Sequence, residues 1–507
     1  MAPKIYTSPY PSLDYPNTDV FDLIFGDLTE EEAALPAITE LSTGSTTTYG
    51  ELKEFSETIA AELASRGIGE GDVVTLQVPN SSNFAASLLG ILRAGAIVNP
   101  IGMLMNQADV EHIVEAAGAK LFIGPTNMEQ LPQIFSMELA SLQGNPKPAP
   151  EVDIDPDSVA AVPFSSGTTG LPKGVQLTHR NLTSNLMQVR EMIERSGIEA
   201  RSNTLSVLPF SHIYGMTVLL LGPLLHRHHI FTMPKFDIEQ FLRAHAERAI
   251  EFTFIAPPMA IAMAKGPEID PAWFSASKLM VSSAAPIDAP IMRAVEERLD
   301  TKVVQGWGMT EASPLVALNL HGDADHSSVG KPVADTEIRL VDIDTLEDVP
   351  EGEAGEVLVR GPQVMKGYLN NDEANAETLI EDGWLRTGDV ARVDEDGFFY
   401  IVDRAKEVIK YKGYQVAPAE LEALLLTHDA IADVGVVGVD RDGLEIPRAF
   451  VVLQEGAELT EDEIMDWVEE RVTPYKKVRA VTFLDEIPKN PTGKILRKDL
   501  RLIPLAG

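Results

Sequence analysis

A chain of 507 residues with 44% apolar composition is too long for one compact core and has enough apolar material for several layers, so it reads as a multi-domain globular protein. Its 41 Lys and Arg against 77 Asp and Glu leave a formal charge of -36, which argues against a surface made for nucleic acid or anionic lipid and points to small-molecule partners. With no cysteine, disulfides, thiolate metal sites and a cysteine nucleophile are excluded, and any thioester formed here must use the sulfur of another molecule.

So acidic a surface keeps a protein soluble, and it fits either a salt-rich environment that screens self-repulsion or an ordinary acidic protein. Residues 1–15 are rich in Pro, Tyr and Ser and lack the basic start and apolar run of a secretion signal. No apolar stretch is long enough to span a bilayer, and the final Pro504-Leu505-Ala506-Gly507 is not a peroxisomal address, so the cytoplasm is the expected location.

In chain order, residues 48–123 alternate amphipathic helical patterns (52–66, 84–95) with short apolar runs such as 73–78, the rhythm of a layered α/β domain. A Pro- and Asp-rich stretch at 144–158 reads as a surface connection, after which a second alternating region continues to about residue 320. From 329 to 402 the pattern changes to short β runs (337–341, 355–359, 398–402) with turn signals at Asp382-Gly383 and Asp396-Gly397, which predicts a small β subdomain. From 403 onward, helical patterns at 418–427 and 461–472 around an apolar strand at 434–439 predict a compact α+β unit.

The segment most informative about chemistry is Ser165-Ser166-Gly167-Thr168-Thr169-Gly170-Leu171-Pro172-Lys173-Gly174, which follows an apolar strand candidate at 159–164. Glycines let backbone N–H groups approach an anion, hydroxyls add donors and the lysine adds a point charge, so the composition suits a polyphosphate. It lacks the Walker spacing, which disfavours a P-loop kinase or motor. Alone, such a run is an ordinary surface turn.

Further motifs follow it: Phe210-Ser211-His212-Ile213-Tyr214-Gly215, Gly306-Trp307-Gly308-Met309-Thr310-Glu311, Asp382-Gly383-Trp384-Leu385-Arg386-Thr387-Gly388-Asp389, Asp403-Arg404-Ala405-Lys406 and Pro491-Thr492-Gly493-Lys494. In this order they resemble the adenylate-forming superfamily of acyl-CoA synthetases, firefly luciferase and peptide-synthetase adenylation domains, over about residues 48–500. Ile409-Lys410-Tyr411-Lys412-Gly413-Tyr414-Gln415-Val416, with the His212 segment, is most similar to 4-coumarate-type and medium- or long-chain acyl-CoA ligases.

The resemblance implies an α/β fold: a large N-terminal domain (1–402) of two α/β subdomains plus a small β-barrel, a hinge at 403–406 with Asp403 and Lys406, and a small mobile α+β C-terminal lid (407–507). It implies an AMP-forming ligase that activates an aryl or fatty carboxylic acid with ATP and Mg²⁺ and passes the acyl group to coenzyme A. Partners are then small molecules, with monomer and homodimer both open. Two rivals share the motifs: an amide synthetase or acyl-carrier loader, and a luciferase-like oxidoreductase.

Residue by residue, the resemblance sets Ser165, Ser166, Gly167, Thr168, Thr169 and Lys173 around the phosphates, Thr310 near the α-phosphate and Glu311 on Mg²⁺, where a hard cation meets oxygen ligands. Asp389 and Arg404 would hold the ribose. Trp307, between Gly306 and Gly308, would stack on adenine opposite Ser283-Ala284-Ala285-Pro286; many relatives carry Tyr in place of Trp307 and Gly in place of Ser283. Lys494 would bridge carboxylate and α-phosphate during adenylation, while Lys410 would face the site only in the thioester-forming orientation of the lid. Lys412 and Gly413 would lie near coenzyme A. His212 matches the aromatic-gate histidine beside the carboxylate. Tyr214, Gly215, Thr217, residues 256–259, Ser282, Ser283, Pro314 and Leu315 would line the acyl pocket, with no buried charge of the kind an amino acid's ammonium requires.

Overall fold

The computed structural model describes residues 4–165, 172–266, 269–283, 285, 287, 289–320, 325–405, 407–412, 414–441, 444–489 and 495–504. Two separate sets of buried side chains divide it. One set holds a large core from Val20 to Phe399 with two small clusters around Ile113 and Leu358, and the other holds two cores drawn from residues between Ile409 and Leu500.

Within the large core the first layer is built where the periodicity predicts it. Helix Tyr49–Ser65 begins at Thr48, whose hydroxyl accepts from Glu51 N–H while the Glu51 carboxylate accepts from Thr48 N–H, a reciprocal cap that satisfies two orphan donors. It packs on helix Ser82–Arg93, and behind them the apolar strands Val73–Leu76, Ile97–Pro100 and Leu121–Ile123 pair in parallel. No helix or strand occupies 144–158, in keeping with a surface connection.

The second sheet positions the site. Strands Pro36–Glu40, His229–Thr232, Asn203–Ser206, Phe252–Ile255, Leu279–Ser282 and Val303–Gly308 run parallel in that spatial order, so their carboxyl ends share one edge. In open α/β sheets that edge is where ligands bind.

The expected β-barrel takes a different form. Among the described residues, Tyr6–Thr7, Glu337–Val341, Gly355–Arg360, Trp384–Val393, Leu379–Ile380 and Phe399–Arg404 form an antiparallel sheet whose two ends touch through the Tyr6 and Phe399 rings, 5.6 Å between centres, without backbone pairing, so no hydrogen-bonded barrel closes. Asp382-Gly383 does turn the chain into strand Trp384–Val393, with both residues at positive φ.

Past Arg404 the smaller unit carries strands Ile431–Arg441, Leu444–Leu453 and Ala480–Phe483 with helices Pro418–Leu426 and Glu461–Glu469, preceded by the hairpin Ile409–Tyr411 and Tyr414–Val416. Among the described residues no helix is long and apolar enough to cross a membrane.

Candidate active site

A cavity of about 780 Å³ opens at the carboxyl edge of the parallel sheet. Strand Val303–Gly308 delivers its wall through a tight reversal: a Cβ on Gly308 would lie 2.0 Å from the Pro314 carbonyl oxygen, so only glycine lets the two segments close, and Met309 N–H donates to that same oxygen at 3.0 Å. The reversal presents Thr310 and Glu311 to the cavity.

Glu311 is buried and held by hydroxyls. Its Oε1 accepts from Tyr368 at 2.9 Å and from Ser165 at 3.3 Å, and the Lys173 ammonium lies 4.9 Å from the centre of the Tyr368 ring. Burial, then the Glu311 charge, holds the Tyr368 phenol far above its ordinary range, so it acts as a donor. Ser165 and Lys173 are paired neighbours in register, Ser165 on the short strand Phe164–Ser165 and Lys173 at the start of Lys173–Thr178, which brings both ends of the Ser/Gly/Thr segment to one wall. Residues 166–169 of that segment lie outside the described residues. Among the described residues no cluster of three or more His, Cys, Asp or Glu is placed to hold a metal ion.

A second polar group faces it. Trp307 Nε1 donates to Asp389 Oδ2 at 2.8 Å, and Arg404 Nε lies 3.0 Å from Asp389 Oδ1. Asp389 and Arg404 are register partners on adjacent strands, and Asp389 N–H donates to the Thr387 hydroxyl at 3.1 Å. Trp307, Arg404, Thr387 and Gly388 line the cavity, while Asp389 sits behind them with both oxygens engaged. Ser283 and Gly306 also line it; Ala284 and Pro286 are outside the described residues, and Ala285 is not part of the wall.

The remaining wall is apolar. The chain passes Pro209 so closely at Gly215 that a Cβ there would sit 1.9 Å from the Pro209 carbonyl oxygen, and residues Tyr214–Leu221 then form a π-helix, a wide turn frequent at functional sites. Its first turn puts Tyr214 and Val218 on the cavity, whereas Gly215 packs on Pro209 and Thr217 is fully buried with a hydroxyl that has no hydrogen-bond partner. His212 lines the cavity and its Nδ1 accepts from Tyr214 N–H at 3.3 Å. Burial pushes the Tyr214 phenol up. Pro314 and Leu315 line the wall; residues 256–259 and Ser282 do not.

At the junction with the smaller unit, Asp403 is buried: its Oδ1 accepts from Arg404 N–H at 2.6 Å and its Oδ2 from Ala419 N–H at 3.1 Å, in the first turn of helix Pro418–Leu426. Burial pushes its carboxyl up to about 6. Leu496 of the smaller unit lines the cavity. Lys412 is exposed at φ 50°, with its ammonium 5.4 Å from the centre of the Tyr411 ring, and the backbone of Lys410 pairs with Gln415. Lys406, Gly413 and Lys494 lie outside the described residues.

Sequence reasoning passed over Tyr368 and Thr387 as contacts, and over the strand residues Phe252, Phe254, Leu279 and Val281 that line the apolar part. The alternation in Phe252-Thr253-Phe254-Ile255 was the one local signal for the last group.

Set beside known proteins, residues 28–369 match the family described as AMP-binding enzyme, and residues 420–494 match the AMP-binding enzyme C-terminal domain. The chain is 38% identical to 4-coumarate–CoA ligase 3 of Oryza sativa subsp. japonica over 99% of this chain and 95% of that one. It is 39% identical to 4-coumarate–CoA ligase 2 of Nicotiana tabacum over 91% and 90%. The crystal structure of the anthranilate CoA ligase AuaEII in complex with anthranoyl-AMP superimposes with a TM-score of 0.87 at 25% identity, covering 96% of this chain and 97% of that one.

Proposed function

The chain belongs to the AMP-binding enzyme family, and from that premise we propose that it is an AMP-forming carboxylate–CoA ligase. A carboxylate oxygen attacks the α-phosphorus of ATP, the bond to the bridging oxygen breaks and pyrophosphate leaves. The coenzyme A sulfur then attacks the acyl carbon, AMP leaves, and the thiol proton goes to solvent.

The observation that carries this reading is one continuous cavity with a polar half, where Lys173, Thr310, Glu311, Trp307 and Arg404 meet, and an apolar half beyond His212 and Tyr214. Such a space fits a nucleotide at one end and an acyl group at the other. Lys173 and the hydroxyls of Ser165 and Thr310 meet phosphate charge as it shifts toward the leaving group. Glu311, fixed by Tyr368, suits a hard divalent cation, and Mg²⁺ bound there would neutralise phosphate charge. In this reading Asp389 and Arg404 hold the ribose, Lys494 bridges the two reacting anions, His212 orients the acid, and Ser166 to Thr169 complete the phosphate cradle.

The same proposal divides the chain into an N-terminal domain (1–402), a hinge at 403–406 and a lid (407–507), and it is supported by the separate cores on either side of the hinge. Rotation about Asp403 and Lys406 would exchange Lys494 for Lys410 at the site and bring Lys412 and Gly413 to coenzyme A, letting one cavity serve both half-reactions. The cytoplasm is the proposed location.

The test is incubation of the purified protein with Mg²⁺, ATP and a panel of aryl and aliphatic acids, with and without coenzyme A, followed by mass spectrometry of AMP and acyl products. AMP and acyl-CoA appearing together support the proposal. Acyl-adenylate that accumulates regardless of coenzyme A refutes the acceptor, and no AMP with any acid refutes the reaction.

A further inference from the structure

The apolar half of the cavity is a slot along the face of the parallel sheet. On strand Phe252–Ile255 the alternate residues Phe252 and Phe254 line it, and on the neighbouring strand so do Leu279 and Val281, with Phe252 beside Leu279 and Phe254 beside Val281 in register. Ser283, next in the alternation, stands at the mouth with the polar half. From Ser283 back to Leu279 is four residues of strand, about 13 Å. Met192 and Ile193, at the end of helix His179–Arg195, also line the cavity.

Few polar groups line the slot, and the hydroxyl protons among them are engaged. The Tyr214 hydroxyl donates to the Val281 carbonyl at 3.4 Å, and the Ser196 hydroxyl donates to the Met192 carbonyl at 2.8 Å. A hydroxyl carried into this slot on an acyl tail would meet hydroxyl oxygens able to accept from it but no free proton to replace those it accepted from water, so its hydration is only partly made good.

We propose that the slot is a length gauge for an apolar acyl tail about 13 Å long, with Phe252 and Leu279 as its floor, and that it selects against tails ending in a hydroxyl. This rests on the ligase reading and deepens it by naming the tail of the acid. Each methylene added to a tail that still fits is removed from water, which raises kcat/KM about fourfold. Once the tail meets the floor, further methylenes must distort packed strands, so the trend reverses.

The experiment measures kcat/KM by AMP release for straight-chain acids from butanoate to hexadecanoate, and for cinnamate against 4-hydroxycinnamate, using the full chain with ATP, Mg²⁺ and coenzyme A. The expected result is a rise of about fourfold per methylene to a sharp optimum, a fall beyond it, and cinnamate preferred over its hydroxylated analogue by about tenfold. Leu279→Ala should move the optimum to a longer acid, and Val281→Phe should move it to a shorter one, with KM for ATP unchanged in both. Because both positions are buried, circular dichroism and melting confirm that each variant is folded, and the wild-type series carries the test alone where one is not. Flat dependence on length, a preference for 4-hydroxycinnamate, or an optimum that stays put in a folded Leu279→Ala protein overturns the gauge and leaves the ligase reading standing. Absence of AMP with every acid overturns the ligase reading itself, and the gauge with it.

Discussion

Trp307 and Asp389, 82 residues apart in the chain, are joined by a 2.8 Å hydrogen bond from the indole N–H to the carboxylate, and Arg404 closes the other carboxylate oxygen at 3.0 Å. Asp389 is therefore tied to both the ring proposed to stack on adenine and the guanidinium beside it. A ribose that uses this carboxylate must share it with them or displace one. Asp389→Ala should leave two donors without their charged acceptor, costing about 2 kcal/mol of nucleotide binding, read as about a thirtyfold rise in KM for ATP. Trp307→Phe keeps a ring and loses one donor, so its rise should be several times smaller. Equal effects from the two would mean that the ring, not the carboxylate, dominates.

Tyr368 bears on the cation rather than the nucleotide. Tyr368→Phe removes the shorter of the two hydrogen bonds that orient Glu311, and loss of such a supporting contact typically weakens a metal site about tenfold or more. Activity titrated with Mg²⁺ should show its midpoint moved upward by that factor, with maximal rate largely recovered at high Mg²⁺. An unchanged midpoint would remove Glu311 from the cation.

The proposed division of labour between two lysines separates the half-reactions. Lys494→Ala should abolish adenylate formation, measured as ATP–pyrophosphate exchange, whereas Lys410→Ala should spare exchange and slow thioester formation. Equal loss of exchange in both variants would refute lid rotation as the way one cavity runs both steps.

Asp403 bridges the two cores, since its carboxylate accepts from Ala419 N–H at the start of a helix of the smaller unit. Asp403→Ala removes that cap at a cost of about 1 kcal/mol, which should loosen the present lid orientation without touching the large core. Faster proteolysis near the junction, with the large core's melting temperature unchanged, is the expected pair of results. Asp403→Asn, which keeps one acceptor, should fall between.

Acid should destabilise the large domain first. Burial holds His179 and His226 down to about 4 and His228 and His245 down to about 3, so all four are neutral when folded and gain protons on unfolding below their ordinary range. The unfolded chain then binds more protons, so stability is complete above about pH 6.5 and falls as pH drops toward 4, by about 1.4 kcal/mol per pH unit for each histidine in that window. His245, stacked on Phe274 with ring centres 4.3 Å apart, gives the cleanest check. His245→Phe should flatten the acid limb of melting temperature against pH, and an unaltered limb would show that other groups set it.

Much of the fold was legible in the chain because its signals are local. Helix Tyr49–Ser65 and the strands at 73, 337 and 355 declare themselves by spacing, caps and turn residues a few positions apart. The β subdomain was legible as strands but not as an unclosed sheet, because closure depends on whether edge strands far apart in sequence pair through their backbones. The ordered set of motifs from Ser165 to Lys494 carried the family and the reaction class by resemblance, while the residue chemistry of the Ser165 segment by itself pointed only to a polyphosphate. Only the tertiary structure decided that Tyr368 would brace Glu311, that Asp389 would be shared by Trp307 and Arg404, and that two Phe and two aliphatic side chains would line an apolar slot. Those contacts join strands and turns dozens of residues apart, and no local pattern specifies which side chains meet once strands are laid side by side.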